Sequence, residues 1–131
     1  MVPKTILIIE DLIDLADSLE DILTLKGYRT LKTLTGKEGL EAALHQKPDL
    51  ILLDLRLPDM DGVELLKKLL TDTWGQTAKV LFLTASDFSS ESAPELNIAE
   101  EDIIHKSRCG IKDIVSNIER KLNTNQDNTS D

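Results

Sequence analysis

Apolar residues in this chain follow two rhythms that take turns. Short unbroken runs stand at Thr5–Ile9, Leu50–Leu53 and within Lys79–Thr84 (KVLFLT), and between them apolar positions recur at helical spacing. The runs predict strands buried on both faces, as in a parallel sheet covered by helices. The spaced positions predict amphipathic helices packed on that sheet. Leu12–Lys26 reads as the first helix, with Leu12, Leu15, Ala16, Leu19, Ile22 and Leu23 inward and Gly27 as its stop. Tyr28–Thr33 is a weaker strand. Gly36–His45 reads as a helix with Leu40, Ala43 and Leu44 inward and Pro48 beyond it. Leu50–Asp54 is a strand and Val63–Leu70 its following helix. Lys79–Thr84 and Ile103–His105 are the last two strands. Ile111–Leu122 is the final helix, with Ile111, Ile114, Val115, Ile118 and Leu122 on one face. Serines and Pro94 dilute the pattern over Ser86–Ala99, so a helix there is expected to be short, late or mobile. Five βα units in this order predict an α/β protein, a five-stranded parallel sheet with helices on both faces, doubly wound by right-handed crossovers.

At 131 residues the chain is about one domain in size. Residues 1–122 form the expected domain. The polar end 123–131 (NTNQDNTSD) reads as a disordered tail or the stump of a linker. With 24 acidic against 15 basic residues the net charge is −9, which argues against direct binding to nucleic acid or to an anionic membrane surface. The start, MVPKTILIIE, has too short an apolar stretch for a signal peptide, and no run approaches the ~18 residues of a membrane span. The single cysteine, Cys109, excludes an internal disulfide framework and suits a reducing compartment. The expectation is a soluble, cytoplasmic protein.

The chemistry concentrates in Leu50–Gly62, LILLDLRLPDMDG. Asp54 ends an apolar strand, and Pro58 and Gly62 then force a tight loop. Ligands of parallel α/β sheets bind beyond the carboxyl ends of strands, where Asp54 lies. Glu10 and Asp11 follow the first strand directly. In a sheet of this connectivity the first and third strands are neighbours, so the three carboxylates converge. At ~5 Å and an effective dielectric of ~20, each like-charge pair costs roughly 3 kcal/mol, so such a cluster calls for a neutralising partner. An open set of oxygen ligands suits Mg²⁺. Thr84 at the end of the fourth strand and Lys106 after the fifth add a hydroxyl and an ammonium on the same edge, and lysine is a compact charge suited to a phosphoryl oxygen.

Glu10–Asp11, Asp54 with Pro58 and Gly62 behind it, Thr84–Ala85 and Lys106 together resemble the receiver domains of bacterial two-component response regulators, over roughly 120 of the 131 residues. The resemblance implies a (βα)5 flavodoxin-like sandwich. It also implies a signalling switch rather than a turnover enzyme. Asp54 would accept a phosphoryl group from a phosphohistidine on a sensor histidine kinase or a histidine phosphotransfer protein. Asp11, Asp54 and the Arg56 carbonyl would hold Mg²⁺, with Glu10 acting mostly through a bound water. Thr84 and Lys106 would bind phosphoryl oxygens, and Arg56 and Ser86 would flank the approach of hydrolytic water. The sequence names neither the kinase nor a downstream effector, and it is compatible with a homodimer through the last helices.

The chain departs from that family in three places. Ser107 follows Lys106 where a proline in a cis bond is usual, so a strained bond or a trans bond with Lys106 re-aimed is expected. Ile103 replaces the usual aromatic, and the weak Ser86–Ala99 stretch forms part of the same face. An unconventional readout is therefore expected, and the alternative is a receiver-fold interaction module whose switch has decayed. A phosphatase working through an aspartyl-phosphate ranks lower, because Arg56 stands where its second acid is needed. Among the remaining signals, Asp59 and Asp61 read as turn and helix-capping residues rather than calcium ligands. Gly36–Lys37 fails as a P-loop, Cys109 reads as a plain small residue, His45 and His105 stand alone, and Trp74 reads as a partly buried anchor.

Overall fold

The computed structural model describes residues 2–85 and 88–123. Its elements run β1 (Thr5–Ile9), α1 (Ile13–Leu25), β2 (Arg29–Thr33), α2 (Gly36–Gln46), β3 (Leu50–Asp54), α3 (Gly62–Leu70), β4 (Val80–Thr84), β5 (Ile103–His105) and α4 (Ile111–Asn123). All five strands are parallel, in the order β2-β1-β3-β4-β5, the doubly wound flavodoxin-like arrangement. The expected strands and helices thus lie within a residue or two of their sequence positions, apart from the fourth helix. The tail expected over 123–131 falls, from residue 124 onward, outside the described residues.

The apolar runs explain the sandwich. Successive strand residues point to opposite faces, so a continuous apolar strand feeds two cores at once. Ile6, Ile8, Leu50, Leu52, Leu81, Leu83 and Ile104 join Leu19 and Leu23 of α1 and Ile114, Val115 and Ile118 of α4. Leu7, Ile9, Ile51, Leu53, Val80, Phe82 and Ile103 join Ala43 of α2 and Leu65, Leu66 and Leu69 of α3 on the other face. Lys79 fastens the end of α4 to the start of β4 by donating from Nζ to the carbonyls of Lys121 and Leu122, both at 3.2 Å. Among the described residues, no helix is long and apolar enough to cross a membrane.

Two expectations need correction. Leu12 is not an inward helix residue. It is the extended N-cap of α1 (φ −79°, ψ 101°) and is 54% exposed, because helical periodicity does not apply one residue before the helix begins. The fourth βα unit also lacks its α-helix among the described residues. Three single-turn 3₁₀ helices, Ser90–Ser92, Pro94–Leu96 and Glu100–Asp102, connect β4 to β5 instead. The cause is local competition for backbone groups. Ser89 N–H donates to Ser92 Oγ (3.0 Å) and Ser89 Oγ accepts from Glu91 N–H (3.3 Å), while Glu100 reaches back to accept from Ser90 N–H. Pro94 removes one donor, and Asn97 ends its turn in the left-handed region at φ 53°.

The return from α3 to β4 depends on a close approach at Gly75. A Cβ added there would fall on the Leu69 carbonyl, which is backbone and unable to give way. Gly75→Ala is therefore expected to destabilise the protein by about 2 kcal/mol, read from the urea unfolding midpoint. An unchanged midpoint would contradict this packing.

Candidate functional site

Strand alternation places the chemistry. Ile9 pairs with Leu53, and Asp54 pairs with Leu83. Glu10 and Asp54 each stand one step past the Ile9–Leu53 pair, so they share a phase and a side of the sheet at its carboxyl edge. Thr84 stands one step past the Asp54–Leu83 pair and is buried, and β5 brings Lys106 alongside. All three expected acids meet: Glu10, Asp11 and Asp54 offer carboxylate oxygens within 4.8 Å of one another. Glu10 is fully buried, Asp54 is 4% exposed, and Asp11 faces solvent.

Asp54 is held at both oxygens. Its Oδ1 accepts from the Arg56 N–H at 3.0 Å and its Oδ2 from Lys106 Nζ at 3.2 Å. Glu10 Oε2 accepts from the Leu12 N–H at 3.0 Å. Its Oε1 lies 2.9 Å from Lys106 Nζ, an ion pair by distance, yet among the described residues it receives no well-directed hydrogen bond. Burial, with the Asp54 carboxylate beside it, pushes the Glu10 carboxyl up to about 7. For Lys106, burial pulls the ammonium downward, but Glu10 and Asp54 outweigh it and the net shift is upward. Lys106 is thus held charged between two acids.

The donor set fits a hard divalent cation. Three carboxyl groups meet here with one ammonium, Lys106, between two of them, and oxygen donors of this kind suit such an ion. The Arg56 carbonyl belongs to the loop directly behind Asp54, and the Arg56 side chain is exposed. That loop is pinched at its base by an antiparallel bridge between Arg56 and Asp61 and by the Gly62 N–H donating to the Leu55 carbonyl at 2.9 Å.

The described peptide bonds are all trans, and Lys106, directly after β5, reaches both Asp54 and Glu10. Ile103 is buried opposite Phe82 and belongs to the core under α2 and α3. Ser86 lies outside the described residues. Asp61 caps α3 by accepting from the Glu64 N–H at 2.8 Å, as expected. Asp59 does something local reading missed: it accepts from Gly36 N–H (2.7 Å) and Lys37 N–H (2.9 Å), capping α2 from a loop 23 residues further along the chain. Only a sequence search for acids facing an uncapped helix start would have suggested it. Trp74 and Cys109 are half-buried against the two cores, as anchor and small packing residue.

Comparison with known proteins agrees with this geometry. Sporulation initiation phosphotransferase F of Bacillus subtilis is 32% identical over 85 residues, covering 65% of this chain and 67% of that protein. The transcriptional regulatory protein KdpE of Mycobacterium tuberculosis is 36% identical over 101 residues, 77% of this chain but 43% of its own length. The chain therefore spans less than half the length of that transcriptional regulatory protein. Among solved structures, the non-phosphorylated HemR receiver domain of Leptospira biflexa is 31% identical with a TM-score of 0.79, covering 93% of this chain and 95% of that one. The family model described as the response regulator receiver domain matches residues 6–119, and this chain belongs to that family.

Proposed function

We propose that the chain is a Mg²⁺-dependent phosphoacceptor switch in two-component signalling. The observation that carries this reading is the buried Asp54 carboxylate, held between an ammonium and two further acids at the carboxyl edge of the sheet. An Asp54 oxygen attacks phosphorus, the P–N bond of a phosphohistidine on a sensor histidine kinase or histidine phosphotransfer protein breaks, and the imidazole leaves with the bonding pair. Lys106 supplies positive charge to the incoming phosphoryl oxygens, and Thr84 supplies a hydroxyl from the neighbouring strand end. Asp11, Asp54 and the Arg56 carbonyl would hold Mg²⁺, with Glu10 acting through a water. The ion would supply charge neutralisation to the phosphoryl oxygens. The product replaces one carboxylate charge by a group of about −1.5 to −2, and that change biases an interaction surface read by an effector, either a further domain or a separate protein. The protein is modified in each event and so acts as a switch, not as a turnover enzyme. A decayed interaction module is the second reading, favoured by the β4–β5 connection, which has traded a helix for isolated turns.

Glu10 makes the charge of the pocket depend on pH. Its carboxyl rises from an ordinary 4.5 to about 7 in the folded chain. A folded-state pKa above the unfolded value means the native state holds the extra proton between those limits. The stability it contributes is complete at low pH and is lost as pH rises through about 7.

Incubation with acetyl phosphate or phosphoramidate is expected to add one phosphoryl mass only when Mg²⁺ and Asp54 are both present, with Asp54→Ala as control and intact mass as readout. No gain where an ordinary receiver is labelled would favour the decayed module. In EDTA, the melting temperature is expected to fall between about pH 5 and about pH 8, and Glu10→Gln is expected to flatten that slope, as is excess Mg²⁺ in the parent chain. An equal slope in Glu10→Gln would assign the effect elsewhere.

A further inference from the structure

Beyond Asp54 the β3–α3 loop is tied down at two levels. Its base is pinched by the Arg56–Asp61 bridge and the Leu55–Gly62 hydrogen bond. Its tip, Leu57 to Met60, is tied to a different part of the chain: both Asp59 oxygens accept from the first two amides of α2, and Met60 lies against Gly36. The fit at Gly36 is close, since a Cβ there would stand 2.5 Å from Met60 Cγ and 3.2 Å from Asp59 Oδ1. The tie is chemically well matched. The first amides of a helix lack intrahelical acceptors, and the helix dipole favours a carboxylate at that end. Thr35 takes the next amide, Glu38 N–H, at 3.2 Å, so Asp59 completes a cap begun by α2's own N-cap residue. The two backbone donors hold the Asp59 carboxyl below the usual carboxylate range, so the tie remains charged at neutral pH.

The Arg56 carbonyl belongs to the Arg56–Leu57 peptide, where the pinched base gives way to the tip. That peptide stands between the bridged base on one side and the clamped tip on the other. We propose that Asp59 is a positioning residue for the phosphoacceptor pocket: by clamping the loop tip to the start of α2 it aims the Arg56 carbonyl at the cation, and it couples occupation of the pocket to α2. The inference rests on the Mg²⁺ reading above. It adds a residue that is neither a ligand nor in the pocket, and a second element, α2, that responds to the pocket.

The test is calorimetric titration of the full 131-residue chain with Mg²⁺ alone, with amide NMR shifts recorded alongside. Asp59→Ala is expected to weaken Mg²⁺ binding about tenfold, the lower part of the range for groups that orient a metal ligand. Asp59→Asn, which keeps one acceptor oxygen, is expected to fall between parent and Asp59→Ala. Gly36→Ala, which keeps the Asp59 side chain but crowds both Met60 and Asp59 Oδ1, is expected to weaken binding in the same direction. In the parent chain the Gly36 and Lys37 amide resonances are expected to shift on Mg²⁺ addition, and Asp59→Ala is expected to abolish that response. Melting temperature in EDTA separates this role from simple capping. Variants that melt lower yet bind Mg²⁺ as the parent does would overturn the positioning role and leave Asp59 a helix cap. A parent chain that binds no Mg²⁺ would overturn the metal reading itself, and the inference with it. If Asp59→Ala does not fold, Asp59→Asn and Gly36→Ala decide.

Discussion

Carboxylates held together at the buried edge of a parallel sheet are the constraint around which this molecule is arranged. Glu10 and Asp54 are almost wholly withdrawn from water, and at that depth a like-charge pair is costly unless something opposes it. Lys106 opposes it from a third strand end, reaching both acids, and its own charge is secured by them. The cost of burial still shows in Glu10, whose carboxyl is held up near neutrality although Lys106 stands 2.9 Å from one of its oxygens.

That pocket exists because the sheet is apolar on both sides. Each of β1, β3 and β4 contributes side chains to two cores, so the strands are fixed in register from above and below. A slip of one residue would carry every inward side chain to the opposite face. The carboxyl ends of the strands are therefore set with the precision of the core. Glu10, directly after β1, and Asp54 and Thr84, the last residues of β3 and β4, inherit that precision. The β4–β5 connection shows the contrast. Where Ser89, Pro94 and Asn97 compete for the backbone, an α-helix gives way to separate 3₁₀ turns, yet β5 still arrives in register with β4 and delivers Lys106.

The loop behind Asp54 links the pocket to the rest of the fold. Its base follows local hydrogen bonding, but its tip is secured to α2, an element that begins 23 residues earlier in the chain. The family's receiver pocket and this chain's own tie between α3's leading loop and α2 are thus parts of one connected piece of backbone.

Much of this was legible in the sequence. The unbroken runs at Thr5–Ile9, Leu50–Leu53 and Val80–Thr84 determined a two-faced parallel sheet, because no other arrangement buries such strands. Acids placed immediately after two of those runs determined that Glu10, Asp11 and Asp54 would meet, since the period of a strand fixes where its last residue points. What only the tertiary structure decided concerns groups whose partners are remote in the chain or whose local preferences conflict. Leu12 faces water because the helix starts one residue later than its apolar spacing suggests. The serine-rich stretch chose its own side chains over a helix. Lys106 finds both Glu10 and Asp54, acids 96 and 52 residues earlier in the chain. Asp59 found its donors on α2 rather than in its own turn. Periodicity records which face a residue shares with its neighbours in sequence. Which backbone groups a side chain finally satisfies depends on surfaces that come together only when the chain has folded.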